Sequence, residues 1–104
     1  MINKEKIEAD IIEVLKTVHD PEIPVNIYEL GLVYGIDIKD DGYVNIEMTL
    51  TAPACPAAGD IIGDVDYKVR QVEGVSDVNV MLTFDPPWDK EMMSEEAKLQ
   101  LGFL

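Results

Sequence analysis

Residues 32–50, LVYGIDIKDDGYVNIEMTL, contain two alternating patterns separated by a turn. Apolar residues recur at every second position from Leu32 to Ile38, and again from Val44 to Leu50. This alternation predicts two strands that each have one buried face and one wetter face. Residues 39–42, KDDG, are typical of a hairpin turn, with Gly42 supplying the positive φ. We therefore predict an antiparallel pair of strands that is covered on one side.

Two amphipathic helices are predicted on either side of this hairpin. The first begins near Asn3 as N-cap and runs to about Val18, before the helix-breaking dipeptide at 20–21. In the second helix Pro56 fits the first turn and Gly74 fits the C-terminal cap. Both are predicted from apolar residues at steps of three and four: Ile7, Ile11, Val14, Leu15 and Val18, and then Ile61, Ile62, Val65, Val69 and Val72.

The remaining segments complete the predicted element order. Residues 19–32 form an ordered loop with one helical turn at 27–30, closed by Gly31. A third strand is predicted from the alternation of Val78, Val80, Leu82 and Phe84, and the proline pair at 86–87 ends it. A short helix then runs from Asp89 to about Gln100. The order α-β-β-α-β-α predicts an α/β (α+β) two-layer sandwich, a single domain over residues 1–104 with helices on one face of a three-stranded sheet.

The charge of the chain excludes some partners. Its 104 residues carry 21 acidic and 8 basic side chains, for a net charge of −13. Binding to nucleic acid or to an anionic membrane surface is not expected, because both depend on clustered Lys and Arg. The N-terminus has no secretory pattern, no apolar run approaches the ~20 residues of a membrane span, and a single cysteine allows no internal disulfide. We expect a cytoplasmic, reducing environment.

Cys55, in the segment TAPACP at residues 51–56, is the main candidate for chemistry. We place it at the N-cap of the second helix, where unpaired N–H groups and the helix dipole favour a thiolate. Pro53 and Pro56 stiffen the approach and hold the sulfur in place. The alternative is that Cys55 is a small buried hydrophobic residue, and the residues alone leave both interpretations open.

Two further groups have a functional and a structural interpretation. His19, Asp20 and Glu22 surround Pro21 and could ligate a metal or act as acid and base beside Cys55. They could equally cap a turn and the end of the first helix. Trp88 is a candidate interface anchor, although such a residue more often covers the edge of a core. The apolar C-terminal end either folds back on the sheet or meets a second subunit.

Familiar catalytic motifs are absent from the sequence. It contains no phosphate-binding loop, no dinucleotide fingerprint, no nucleophile elbow and no HExxH. The sequence therefore offers no motif for nucleotide binding or zinc-dependent hydrolysis.

Three separated blocks resemble the SufT-like family of metal–sulfur cluster assembly factors, which also holds the small eukaryotic cytosolic iron–sulfur targeting subunit and PaaD-type proteins. The blocks are DPEIPVNIYELGLVYGI (residues 20–36), LTAPACP (50–56) and FDPPWDKEMMSEEAKLQLG (84–102). The resemblance implies an α/β sandwich and a non-enzymatic role in iron–sulfur protein maturation. It matches Cys55 to the family's signature cysteine. It also matches the acidic-proline motif to Asp20, Pro21 and Glu22, and the Thr-x-Pro-x-Cys-Pro segment to Thr51, Pro53, Cys55 and Pro56.

One cysteine limits what such a factor can do. Iron–sulfur clusters are usually held by four thiolates, so a transient cluster with Cys55 as its metal ligand needs further ligands from a second subunit, a partner or small thiols. We expect a transient cluster carrier or targeting adaptor. Its expected partners are an iron–sulfur scaffold and recipient apo-proteins, and a homodimer is a possible assembly.

Two other functions stay open at this point. One is a protein–protein interaction module or a PaaD-like accessory subunit without cluster chemistry, although the extra cysteine-rich segment of PaaD-type proteins is missing from this sequence. The other is a cysteine-dependent enzyme that pairs Cys55 with His19.

Overall fold

The computed structural model describes residues 3–19, 25–50 and 58–102 of the chain. Within these ranges helices and strands follow the predicted order α-β-β-α-β-α, with one additional 3-10 helix before the last α-helix. The elements are α1 (Lys4–Leu15), β1 (Val33–Ile38), β2 (Tyr43–Met48), α2 (Ala58–Arg70), β3 (Asp77–Leu82), the 3-10 helix (Lys90–Met92) and α3 (Glu95–Gln100).

The three strands form one mixed sheet in the order β1-β2-β3. β1 and β2 are antiparallel, with Ile36 opposite Ile46, and Gly42 has the positive φ of +89° expected for the hairpin turn. β2 and β3 are parallel, with Val44 opposite Val78, because the chain crosses over through α2 between them. The predicted hairpin is confirmed, and β2 is the central strand.

The core lies between one face of the sheet and the helices. Val44, Ile46 and Met48 on the central strand are fully buried. The opposite face of the sheet is polar, and there the amide of Asn79 donates to Oδ1 of Asn45 over 3.3 Å. The two-layer sandwich with one covered face is thereby confirmed. Helices α1 and α2 contribute Ile7, Ile11, Leu15, Ile61, Val65 and Val69 to the same core.

The first helix is shorter than predicted. Asn3 caps its start, since the Asn3 side chain accepts from the Lys6 N–H, but the helix ends at Leu15 rather than near Val18. The chain tightens there because Thr17 donates to Val14 O through both its N–H and its hydroxyl, over 2.9 and 2.6 Å. Val18 stays buried outside the helix.

The segment after β3 also differs from the prediction. The single helix expected from Asp89 to about Gln100 is two helices, separated at Met93 and Ser94. Met93 is extended and buried. The Ser94 hydroxyl accepts from the Ala97 N–H over 3.1 Å, which makes Ser94 the N-cap of α3. Serine favours the N-cap position, and a new helix therefore begins after Ser94.

The second helix and the third strand follow the prediction with two changes. α2 ends at Arg70, and Gly74, with φ +96°, lies after a further turn rather than directly at the helix cap. β3 ends at Leu82, so Phe84 lies after the strand rather than in it. Val78 is buried, whereas Leu82 and Phe84 are 41% and 38% exposed. The apolar pattern of β3 thus continues beyond the part that the helices cover. Each helix among the described residues is too short or too polar to span a lipid bilayer.

Candidate functional site

Most of the predicted site residues lie outside the described residues. These are Thr51, Pro53, Cys55 and Pro56 in one segment, and Asp20, Pro21 and Glu22 in the other. The structure does describe the residues that flank both segments. The placement of Cys55 at a helix N-cap stays a prediction.

The cysteine segment connects the central strand to the second helix. Before it, Thr49 and Leu50 are buried, and the Thr49 N–H donates to Leu32 O over 2.7 Å. After it, α2 begins at Ala58 with Asp60 in its first turn. Residues 51–57 therefore join the C-terminal end of β2 to the N-terminal end of α2.

The residues on the two sides of the acidic-proline segment pair with each other through their backbones. His19 and Asn26 form an isolated antiparallel bridge, and the Ile27 N–H donates to Val18 O over 2.8 Å. The Asn26 side chain accepts from the Glu29 N–H over 2.9 Å and begins the predicted turn at 27–30. Because Val18 and Ile27 are buried in the core, the residues that precede and follow residues 20–24 are held against the sheet.

A groove of about 500 Å³ lies where the two flanking regions meet. His19, which precedes the acidic-proline segment, shares it with the outer face of α2. That face presents Asp60, Asp64 and Tyr67, and Tyr67 is 67% exposed. Two regions that are far apart in sequence therefore reach one surface.

Part of this groove was not among the predicted site residues. Asp64 and Tyr67 follow Asp60 at i+4 and i+7, which is the spacing of one helix face. That spacing is visible in the sequence, but nothing in it shows that His19 reaches the same face. Asp64 also pairs with Lys68, with 3.3 Å between Oδ2 and Nζ.

The chemistry predicted for His19 stays open. Among residues 3–19, 25–50 and 58–102, no group of three or more His, Cys, Asp or Glu side chains is placed to hold a metal ion. His19 itself is exposed. Its pairing with Cys55 stays a prediction, because Cys55 lies outside the described residues.

Trp88 is half-buried and packs against the core. Its indole Nε1–H donates to Leu30 O over 2.8 Å, which ties the segment after β3 to the turn at 27–30. Nearby, the Tyr34 hydroxyl donates to Pro86 O over 2.8 Å. These contacts favour the interpretation that Trp88 covers the core, and its role as an interface anchor stays a prediction.

We expect Trp88→Phe to lower the free energy of unfolding by about 1–3 kcal/mol, because the Leu30 carbonyl loses its donor inside the fold. Tyr67→Phe is the matched control, since it also removes a polar group from an aromatic side chain but at an exposed position. The control is expected to stay within about 0.5 kcal/mol of wild type. Urea unfolding followed by far-UV circular dichroism measures both. Equal stability of the two variants would contradict the structural role of the indole hydrogen bond.

Comparison with known proteins places these observations in a family. The family model described as "Iron-sulfur cluster assembly protein" matches residues 8–82. A protein of Porphyromonas gingivalis named "Fe-S protein maturation auxiliary factor" is 61% identical over 97 residues, covering 93% of this chain and 92% of that protein. The Staphylococcus aureus "Fe-S protein maturation auxiliary factor SufT" is 40% identical over 83 residues, covering 80% of this chain and 94% of that protein.

A solved structure has the same fold. The crystal structure of a domain of unknown function from Bacillus anthracis superposes with a TM-score of 0.89 at 39% identity, and the match covers 96% of this chain and 95% of that one. The similarity therefore extends over nearly the whole length of both chains.

Proposed function

The chain belongs to the iron–sulfur cluster assembly protein family, and we propose that it is a non-enzymatic maturation factor that acts through Cys55. In this role it receives a labile cluster, or holds a recipient apo-protein while a scaffold delivers one. The cluster is cargo rather than a resident cofactor. The similarity to named maturation factors over 93% and 80% of this chain carries the proposal.

The position of Cys55 in the chain supports this role. Its segment begins just after the buried end of the central strand and ends where α2 starts. The N-terminal end of a helix favours negative charge, including that of a thiolate. The thiolate is also the form of cysteine that binds a metal ion.

A single thiol suits transient contact better than storage. Because clusters are usually held by four thiolates, one chain leaves ligand positions for a donor or recipient protein. The incomplete ligand set favours transfer, since each partner can replace ligands one at a time.

We expect Cys55→Ser and Cys55→Ala to fail in maturation. The test is a strain depleted of this protein, in which the activities of several iron–sulfur enzymes are measured after each variant is expressed at the wild-type level. The activities should stay near those of the depleted strain, because no other cysteine in the chain can replace Cys55. Ser76→Ala is the control, since it removes one side-chain heteroatom at an exposed position and should restore activity fully. Full activity with Cys55→Ser would rule out the thiol-based role.

A second experiment separates a carrier from an adaptor. Wild type and Cys55→Ser are incubated anaerobically with iron and sulfide, and visible absorption and molecular mass by light scattering are recorded on the same samples. A coloured species that requires Cys55 supports a carrier. A colourless wild-type protein that still restores maturation in the depleted strain supports an adaptor.

A further inference from the structure

The third strand forms one edge of the sheet and has an outward-facing side. In a strand, the N–H and C=O groups of successive residues point to alternate sides. The Thr83 N–H donates to Met48 O over 2.9 Å. The N–H and C=O groups of the odd-numbered residues of this strand therefore point toward β2. The backbone groups of Val78, Val80 and Leu82 therefore face away from the sheet.

The first part of this outer edge is occupied by the protein itself. The Val78 N–H donates to Oδ1 of Asp77 over 2.9 Å, and Nη2 of Arg70 donates to Val78 O over 3.2 Å. The Val78 N–H and the Arg70 guanidinium also hold the pKa of Asp77 below its usual range. At Val80 and Leu82, by contrast, the outward N–H and C=O groups have no partner among residues 3–19, 25–50 and 58–102.

The open part of the edge is also apolar. Met81, Leu82 and Phe84 are 44%, 41% and 38% exposed. Natural edge strands are usually protected by charged side chains, proline, bulges or a covering segment, and residues 78–84 contain neither a charged side chain nor proline. An edge of this kind favours the addition of another strand.

The open edge lies at the same end of the sheet as the start of the cysteine segment. β2 and β3 are parallel and Leu82 is opposite Met48, while the cysteine segment begins just after Leu50. A chain bound along Val80 and Leu82 would therefore reach the end of the sheet from which residues 51–57 depart.

We propose that an extended segment of a partner protein adds to β3 as a fourth strand, through the backbone groups of Val80 and Leu82. The segment alternates apolar residues, which pack against Leu82 and Phe84, with polar ones, and carries Lys or Arg at its ends. The identity of this partner as a recipient or scaffold rests on the proposed function. The binding of an extended segment at β3 does not depend on it.

Charge selects this occupant over a second copy of the chain. Residues 77–85 contain two carboxylates, Asp77 and Asp85, and no Lys or Arg. Two copies would each bring a net charge of −13 to the contact, and like charges oppose association. A basic segment is attracted to the same edge.

The test uses a phage-displayed library of random ten-residue peptides, selected on the full-length protein at physiological salt. Enriched peptides are then measured by fluorescence anisotropy on wild type, Leu82→Pro and Leu82→Ala. Proline removes the outward N–H, which the sheet does not use, whereas alanine keeps it. We expect enriched sequences with alternating apolar residues and basic ends, and an affinity reduced at least tenfold by Leu82→Pro and less by Leu82→Ala.

Amide hydrogen exchange locates the contact. In the free protein the Val80 and Leu82 amides should exchange faster than those of Met81 and Thr83, and bound peptide should slow them at least tenfold. Bound peptide that leaves both amides fast, or a library that yields no binder sensitive to Leu82→Pro, overturns the proposal. Protection that rises with protein concentration without peptide identifies a second copy as the occupant and also overturns it.

Cys55→Ser separates this inference from the proposed function. The variant should bind the selected peptides as wild type does while failing in maturation. Leu82→Pro should lose peptide binding while keeping a urea midpoint near that of Leu82→Ala. Peptide binding at Val80 and Leu82 together with full maturation by Cys55→Ser would refute the proposed thiol role and leave the docking edge standing.

Discussion

Ile46→Ala is expected to lower the free energy of unfolding by about 2–5 kcal/mol. Ile46 is fully buried at the middle of the central strand, and its neighbours across the sheet are Ile36 and Val80. Alanine removes the apolar area and leaves a cavity that strands on both sides keep from collapsing. A domain of this kind has about 5–15 kcal/mol of stability, so the loss is a large share of the total.

The adjacent residue supplies the control for this prediction. Glu47 lies on the same strand but is exposed on the open face, and Glu47→Ala is expected to change stability by no more than about 0.5 kcal/mol. Ile46→Val should fall between the two, at about 0.5–1.5 kcal/mol. Urea unfolding by far-UV circular dichroism measures the series. If Ile46→Ala and Glu47→Ala cost the same, the assignment of the covered face is wrong.

The contrast between Ile46 and Glu47 is also what made the hairpin predictable. Alternation with a period of two and the residues KDDG are local signals, and both act on neighbouring positions. The strand order is different, because the parallel pairing of β2 with β3 brings together residues more than thirty positions apart. No local pattern specifies that pairing.

Helix ends show a similar limit of prediction. Val18 continues the apolar period of the first helix, but the helix ends earlier because the N–H groups of Thr17 and Val18 donate to carbonyls three residues back instead of four. Likewise Ser94 interrupts the last predicted helix, where its backbone N–H donates to Glu29 O over 2.8 Å. At Ser94 a distant carbonyl thus competes with the helix for the backbone N–H, and at Val18 the carbonyl pairs with the Ile27 N–H after the helix has ended.

The candidate site was only partly predictable for the same reason. Cys55 stands out in the sequence by its chemistry and by the resemblance of its segment to a known family. The groove between His19 and Tyr67 requires the packing of α1 and its following turn beside α2, and the outward direction of Leu82 requires the sheet register. Local sequence specifies which residues can react, whereas tertiary structure determines which surfaces lie beside them.

Gly31→Ala is expected to lower the free energy of unfolding by about 2–5 kcal/mol, from backbone strain and overpacking together. Gly31 has φ +80°, which side chains rarely adopt. A Cβ at this position would also overlap the backbone carbonyl of Met92. That carbonyl belongs to the 3-10 helix and cannot move aside as a flexible side chain would.

The same substitution at Gly63 should act in the opposite direction. Gly63 lies inside α2 with open space where a Cβ would stand, so Gly63→Ala is expected to raise stability by about 0.5–1 kcal/mol. The urea midpoint should therefore fall below that of wild type for Gly31→Ala and rise above it for Gly63→Ala. If Gly31→Ala is as stable as Gly63→Ala, the contact between Gly31 and Met92 does not form in solution. Because Gly31 directly follows Leu30, whose carbonyl accepts from Trp88, loss of this contact would also loosen the turn at 27–30.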